Sequence, residues 1–331
     1  MNWYPWLNQP YREIITQHQA GRAHHALLLH GLHGLHGLGE TSLVWGIGRW
    51  LMCQQRDGLK SCGKCHACQL MQANTHPDWY QLNVEKGKSS LGIDAIRAVT
   101  EKLYHHAQQG GAKIVSLPDA SWLTEAAANA LLKTLEEPPK NCWFLFFCEQ
   151  PSRLPATLRS RCFRYPLAVP DERQSLGWLQ KQISVSEPDA ITALRLSGGA
   201  PVAAQSLLEE ASWSARQAFC RVLPSALRGD ILALNSVLNH DDVLQRTGWL
   251  CALLVDALKW QQGGGQFISN VDQQALVADI AMLVSASVLD ESIRLWMYCR
   301  ERLSVVAINR ELILTDQLLS WEQILHSPLA C

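Results

Sequence analysis

Leu27 to Cys53 reads LLLHGLHGLHGLGETSLVWGIGRWLMC, and this stretch decides the fold. Leu27, Leu28 and Leu29 open an apolar, strand-like run. Glycines follow, and then an apolar segment with helical character. A strand that passes through glycines into a helix is the frame of a phosphate-binding loop. Backbone N–H groups at the helix N-terminus wrap the anion, and a lysine before a Ser or Thr reaches the β and γ phosphates. Gly34, Gly39 and Thr41 fit G-x-x-x-x-G-K-[ST], but Glu40 holds the place of the lysine. A carboxylate about 4 Å from a phosphate charge costs roughly 1 kcal/mol in water and roughly 4 at an intermediate dielectric. The sequence therefore predicts a nucleotide-binding fold with a disabled site, with no ATP or Mg²⁺ on this chain. The triplet His-Gly-Leu runs at His30–Leu32 and His33–Leu35 before His36-Gly37-Leu38, which predicts a lengthened loop. Gly46 and Gly48 fall inside the helix, each at a cost of about 1 kcal/mol relative to alanine. An ordinary glycine-rich turn that never held phosphate fits the same spacing.

Outward from this stretch, strand-like and helix-like runs alternate up to residue 166. Ala26–His30, Trp79–Val84, Lys113–Leu117, Cys142–Cys148 and Cys162–Pro166 read as strands. The run CWFLFFC is apolar throughout, as expected of a strand buried on both faces. Between strands, Ile93–His105 has a helical period, and Thr124 caps a helix that Pro138-Pro139 stops. Such alternation predicts a parallel, helix-covered sheet. From Pro170 the strand signal ends. The fold class is α/β plus all-α, in three parts: 1–166 with the sheet, 167–211 with three short helices (Pro170–Ile183, Ser186–Leu196 and Pro201–Leu208), and 212–331 all helical. Thr247–Trp260 and Glu311–Leu325 are the clearest helices of the last part, which shows no catalytic constellation.

Cys53, Cys62, Cys65 and Cys68 are spaced C-x8-C-x2-C-x2-C. Two Cys-x2-Cys steps bring three thiolates round one point, and Cys53 can close a tetrahedron. Four sulfurs in a non-redox setting suit Zn²⁺, which would be structural because no coordination position stays open. An iron–sulfur cluster needs a further cysteine soon after Cys68, and Gln-Leu-Met-Gln follows instead. His66 or His76 can stand in for one cysteine, and four free thiols are the plain alternative. The other cysteines, and the 13 tryptophans, are scattered among aliphatic residues as core fillers.

With a net charge of −1, the 331-residue chain is no general polyanion binder, so any DNA contact must be local. No signal-like pattern precedes Tyr4-Pro5, and no apolar run reaches membrane length. A cytoplasmic location without membrane contact is the expectation.

A nucleotide site also needs an acidic strand end to hold Mg²⁺. Ile114–Leu117 ends in Pro118-Asp119, where a working site has two acids. Asp119 also suits a turn. Asn129-Ala-Leu-Leu-Lys-Thr-Leu-Glu-Glu-Pro-Pro139 and Leu158-Arg-Ser-Arg-Cys162 then make the resemblance specific. Together with Trp3-Tyr-Pro-Trp6, the cysteine quartet, Thr75-His-Pro-Asp78 and Glu85-Lys-Gly-Lys88, they resemble the bacterial clamp-loader branch of the AAA+ ATPases, and within it the non-hydrolysing subunits. The likeness spans nearly the whole chain and is strongest over the first 166 residues.

That resemblance implies a RecA-like AAA+ domain, a small lid and a helical collar. It implies a hetero-pentameric ring with the ATP-binding motor (gamma/tau) subunit and the clamp-opening delta subunit. Through the complex come the sliding clamp, primed DNA and membership of the DNA polymerase III holoenzyme, with no ATPase of this chain's own. It also gives Arg161, in Ser160-Arg161-Cys162, the role of an arginine finger reaching the neighbour's ATP site. A planar, permanently charged fork suits that task; read without the resemblance, Arg161 is a surface arginine beside Arg153, Arg159 and Arg164. Gly199-Ala-Pro-Val202 offers no second arginine sensor. Asn129 and Lys133 share a helix face that fits a neighbour, DNA or solvent equally. Two other readings remain in play: a self-sufficient ATPase, and a zinc-stabilised DNA-binding protein with a vestigial ATPase fold.

Overall fold

Five strands, β1 (Ala26–Gly31), β2 (Trp79–Gln81), β3 (Lys113–Leu117), β4 (Cys142–Phe147) and β5 (Phe163–Leu167), pair in parallel in the order β2-β3-β4-β1-β5. The computed structural model describes residues 2–31, 36–304 and 309–326. It divides into two units, Met1–Pro170 and Asp171–Cys331.

In the first unit the helices are α1 (Asn8–Gln19), α2 (Glu40–Met52), α3 (His66–Gln72), α4 (Ile93–Tyr104), α5 (Glu125–Glu136) and α6 (Ala156–Arg159). β4 is interior to the sheet, which accounts for its unbroken apolar sequence. Leu28, Val115, Phe144 and Phe146 join Ile96, Val99 and Leu103 of α4 and Leu131 and Leu135 of α5 in one core cluster. Residues of the opposite parity, Leu27, Leu29, Ile114 and Leu145, are also buried. They face the other way by strand alternation, toward the side where α2 packs on β3 and β4.

Local signals placed these elements well. The Thr124 hydroxyl accepts the Ala127 N–H at 3.2 Å and starts α5. The second strand is shorter than its apolar run: β2 ends at Gln81, although Leu82 N–H still donates to Ser116 O at 2.9 Å. An edge strand has one partner, so its pairing ends when the chain turns at Glu85–Lys88, where Lys88 N–H donates to Glu85 O at 2.9 Å. Gly46 and Gly48 are close approaches. A Cβ on Gly48 would lie 2.2 Å from the Trp79 ring, and one on Gly46 would lie 2.8 Å from that of Trp3. Asp78, fully buried, accepts the N–H groups of Gln108 and Gln109 at 2.8 and 2.9 Å. It ties the loop after α4 beneath β2.

His18 on α1 meets the Trp143 ring edge-on, with centroids 4.6 Å apart. Burial, with help from Arg56, pushes its pKa down to about 4. The folded chain thus takes up the proton less readily than the unfolded one, so this stabilisation is present above pH 6.5 and is lost as pH falls toward 4. We expect His18→Phe, which keeps the ring contact, to flatten that acid-side loss by about 2 kcal/mol after allowance for solvent screening. Urea denaturation at pH 7 and pH 4.5 checks it; equal losses in both proteins would refute the assignment.

The second unit is helical: α7 (Glu172–Gln182), α8 (Glu187–Leu196), α9 (Pro201–Leu207), α10 (Glu210–Arg228), α11 (Asn235–Leu238), α12 (Val243–Gln261), α13 (Gln274–Leu283), α14 (Ala286–Leu303) and α15 (Arg310–Leu325). Ser186 caps α8 by accepting the Asp189 N–H at 3.2 Å. Leu179, Leu194 and Leu207 share one core with Trp249, Leu253, Trp296 and Trp321, so the segments read separately as 167–211 and 212–331 are joined through side chains. Buried Arg216 of α10 binds Asp272 and Asn270, and across the same boundary the Asp272 N–H donates to Thr192 of α8 at 3.1 Å.

Candidate functional site

The glycine-rich turn delivers Glu40 as the first residue of α2, with Gly39 as its cap at φ +87°. Only glycine fits there, since a Cβ would lie 2.4 Å from the Tyr4 ring. The amino-terminal segment covers this turn. Trp6 Nε1 donates to Leu38 O at 2.7 Å, and Tyr4 stacks on Trp6 with centroids 5.1 Å apart. The Glu40 carboxylate folds back over its own helix start, where it accepts the N–H groups of Gly37 and Leu38 at 3.1 and 2.9 Å. Those amides are of the kind that a phosphate takes in a working loop. A carboxylate satisfies them here, in a position that the helix dipole also favours. Thr41 is exposed. Gly34 and the His33–Leu35 triplet lie outside the described residues.

The Asp119 carboxylate accepts the Ser121 N–H and hydroxyl, each at 2.8 Å, and caps the short turn Ala120–Trp122. The turn role foreseen for it is therefore filled. A third acid escaped the sequence reading. Glu149 follows β4 at the carboxyl end of the sheet, the side on which such folds bind ligands. Burial raises its pKa, and Asp119 and Glu40 raise it further, against His36 and Arg153. The His36 ring nitrogen lies 3.9 Å from it. Glu40, Asp119 and Glu149 thus share one electronegative region. The signal was an acid directly after an apolar strand, interpretable only once β4 is known to be central.

Arg161 is in the turn between α6 and β5. Its Nε donates to Glu136 Oε1 at 2.8 Å, Nη2 donates to the same oxygen, and Nη1 donates to Thr157 O at 2.8 Å. Its side chain keeps 30% exposure. Asn129 and Lys133 of α5 are both exposed.

The cysteine quartet converges as its spacing requires. The sulfurs of Cys53, Cys62, Cys65 and Cys68 all lie within 4.8 Å of one another and could hold a metal ion. Tetrahedral coordination with bonds of about 2.3 Å fits such a set. Cys53 ends α2 and Cys68 lies in α3, while Gly63, at φ +74°, lets Cys62 to Cys65 turn tightly. Cys62 N–H points at Cys53 Sγ, and the N–H groups of Lys64 and Cys65 point at Cys62 Sγ, at 3.3, 3.5 and 3.3 Å. Amides directed at sulfur favour thiolates, so the turn suits a cation. His66 and His76 are not in the cluster. By contrast, burial pushes the Cys148 and Cys162 thiols up to about 11 and about 12.

Comparison with known proteins gives one answer. Residues 6–171 match the family model described as DNA polymerase III, delta subunit. Residues 170–209 match that of the DNA polymerase III subunit delta' AAA+ ATPase lid domain, and residues 210–323 match that of the C terminal of the DNA polymerase III delta subunit. The DNA polymerase III subunit delta' of Yersinia pestis is 56% identical over 334 residues, covering 99% of this chain and 97% of that protein. Its Escherichia coli K12 counterpart is 49% identical over 328 residues, covering 98% and 97%. The crystal structure of a gamma subunit-related protein from Thermotoga maritima aligns with a TM-score of 0.50 at 17% identity, covering 95% of this chain and 99% of that one, and shows the likeness of fold. The chain described here belongs to the delta' subunit family of DNA polymerase III.

Proposed function

We infer that this chain is a non-hydrolysing subunit of the DNA polymerase III clamp loader and lends Arg161 to the ATP site of the motor subunit beside it. The carrying observation is the Glu40 carboxylate on the Gly37 and Leu38 amides. A triphosphate would have to displace a group tethered to the loop itself, then sit among Glu40, Asp119 and Glu149. Arg161 supports the second half of the reading. It is partly exposed in a turn and carries a charge that its surroundings do not bury.

The partners proposed for it are gamma/tau motor subunits and the delta subunit in a hetero-pentameric ring, with the sliding clamp and primed DNA engaged by the assembly. Helices of residues 212–331 form the collar. The four cysteines hold a structural Zn²⁺, which joins the end of α2 to the start of α3 and takes no part in chemistry.

Equilibrium binding of labelled ATP with Mg²⁺ to the isolated chain tests the inert site. No saturable binding below about 1 mM is expected, a free energy of about 4 kcal/mol or less. Micromolar, Mg²⁺-dependent binding would instead make the chain a self-sufficient ATPase.

A further inference from the structure

We propose that Glu136 is a positioning residue for Arg161, holding its guanidinium so that one edge stays free for a phosphate. This rests on the reading of Arg161 as an arginine that acts on a neighbouring site.

A guanidinium has five N–H bonds, one on Nε and two on each terminal nitrogen. In Arg161, Nε and one N–H of Nη2 go to Glu136 Oε1, and one N–H of Nη1 goes to the Thr157 carbonyl. The two bonds left over sit one on each terminal nitrogen. Such a pair is the fork that takes two oxygens of a phosphate. The carboxylate therefore grips the side edge of the fork without consuming its end. A latch that shut the arginine away would do the reverse.

Both partners stand on supports anchored in one core. Glu136 is in the last turn of α5, which Leu131 and Leu135 hold in the core, and Arg161 follows α6, a helix of four residues whose Leu158 is buried in the same cluster. Glu136 thus ties the turn that carries Arg161 to the longer helix beside it. A part-exposed ion pair of this kind adds little to fold stability, so its effect should show in geometry. Misplacement of a catalytic group by about 1 Å can cost on the order of 10²-fold in rate.

The test uses the reconstituted clamp-loader complex with this subunit in four forms: unaltered, Arg161→Ala, Glu136→Ala and the double variant. Steady-state ATP hydrolysis is followed with clamp and primed DNA, and size-exclusion chromatography checks assembly. The quantity read is the share of turnover that Arg161→Ala removes. Glu136→Ala is expected to cut that share about tenfold with KM for ATP unchanged. The double variant should match Arg161→Ala alone. Glu136→Gln, which keeps an acceptor oxygen, should recover part of the loss. Wild-type turnover in Glu136→Ala, or a rise above it, would overturn the positioning role. So would an equal loss in the Arg161→Ala background, which would mark Glu136 as merely structural. If Arg161→Ala itself removes nothing, the trans-acting arginine fails and the positioning role with it.

Discussion

Arg161→Ala, built into the reconstituted assembly, is expected to lower ATP turnover at the adjoining motor site by about 10³-fold or more while the ring still forms. The magnitude follows from what an arginine supplied in trans achieves in GTPases, on the order of 10³ to 10⁵ in rate. Charge builds on the transferred phosphoryl group, and a guanidinium meets it with two directed hydrogen bonds. Arg161→Lys should recover less than a tenth of the loss, because an ammonium is a point charge without a fork. Assembly should survive, since the Glu136–Arg161 pair is half open to solvent and worth about 0 to 1 kcal/mol to the fold. Single-turnover hydrolysis checks the rate, and analytical ultracentrifugation checks the ring. Unchanged hydrolysis would reject the finger.

Removing the metal should produce the largest effect on stability. Elemental analysis of the purified chain is expected to find one zinc per molecule. Structural Zn²⁺ in small peptides binds with apparent free energies of about 10 to 16 kcal/mol. Here α2 and the sheet hold part of the module, so a loss of several kcal/mol from the first unit is the expected outcome. A strong chelator, or Cys68→Ser, should expose the segment from Cys53 to Cys68 to proteolysis and lower the unfolding midpoint. The response to pH has a definite sign. Without metal, burial raises the Cys53 thiol and pushes that of Cys68 up to about 12, while backbone N–H groups lower Cys62 to about 6. At pH 7 Cys53 and Cys68 therefore carry protons that the cation must displace. Affinity should rise with pH and fall on acidification, and calorimetry in buffers of different ionisation enthalpy should count at least two protons released. A melting profile indifferent to chelation would leave the cysteines as free thiols.

Much of this was open to reading from residue order. Lys113–Leu117 pairs as the strand its composition describes, and Thr124 caps the helix it precedes. The cysteines meet because their spacing is local and leaves little choice. What escaped depends on contacts distant along the chain. Gly46 and Gly48 looked like helix defects, but Trp3 and Trp79 claim the space above them. The charge reversal at Glu40 was plain, whereas the backward fold of its carboxylate onto Gly37 and Leu38 was not. Glu149 gains meaning from the position of β4 in the sheet, and Glu136 from the turn that brings Arg161 across 25 residues to it. A run of letters shows charge and period, but not which acid an arginine will meet.

The Glu40 loop also bears on timing. In a working ATPase the corresponding turn is vacant, triphosphate-bound or diphosphate-bound by turns, and its shape follows the occupant. A ligand fixed by a covalent tether can neither leave nor be hydrolysed. On the reading proposed above, Glu40 would hold the Gly37 and Leu38 amides throughout a neighbouring subunit's hydrolysis cycle, and movement of the chain would arrive through contacts with other subunits.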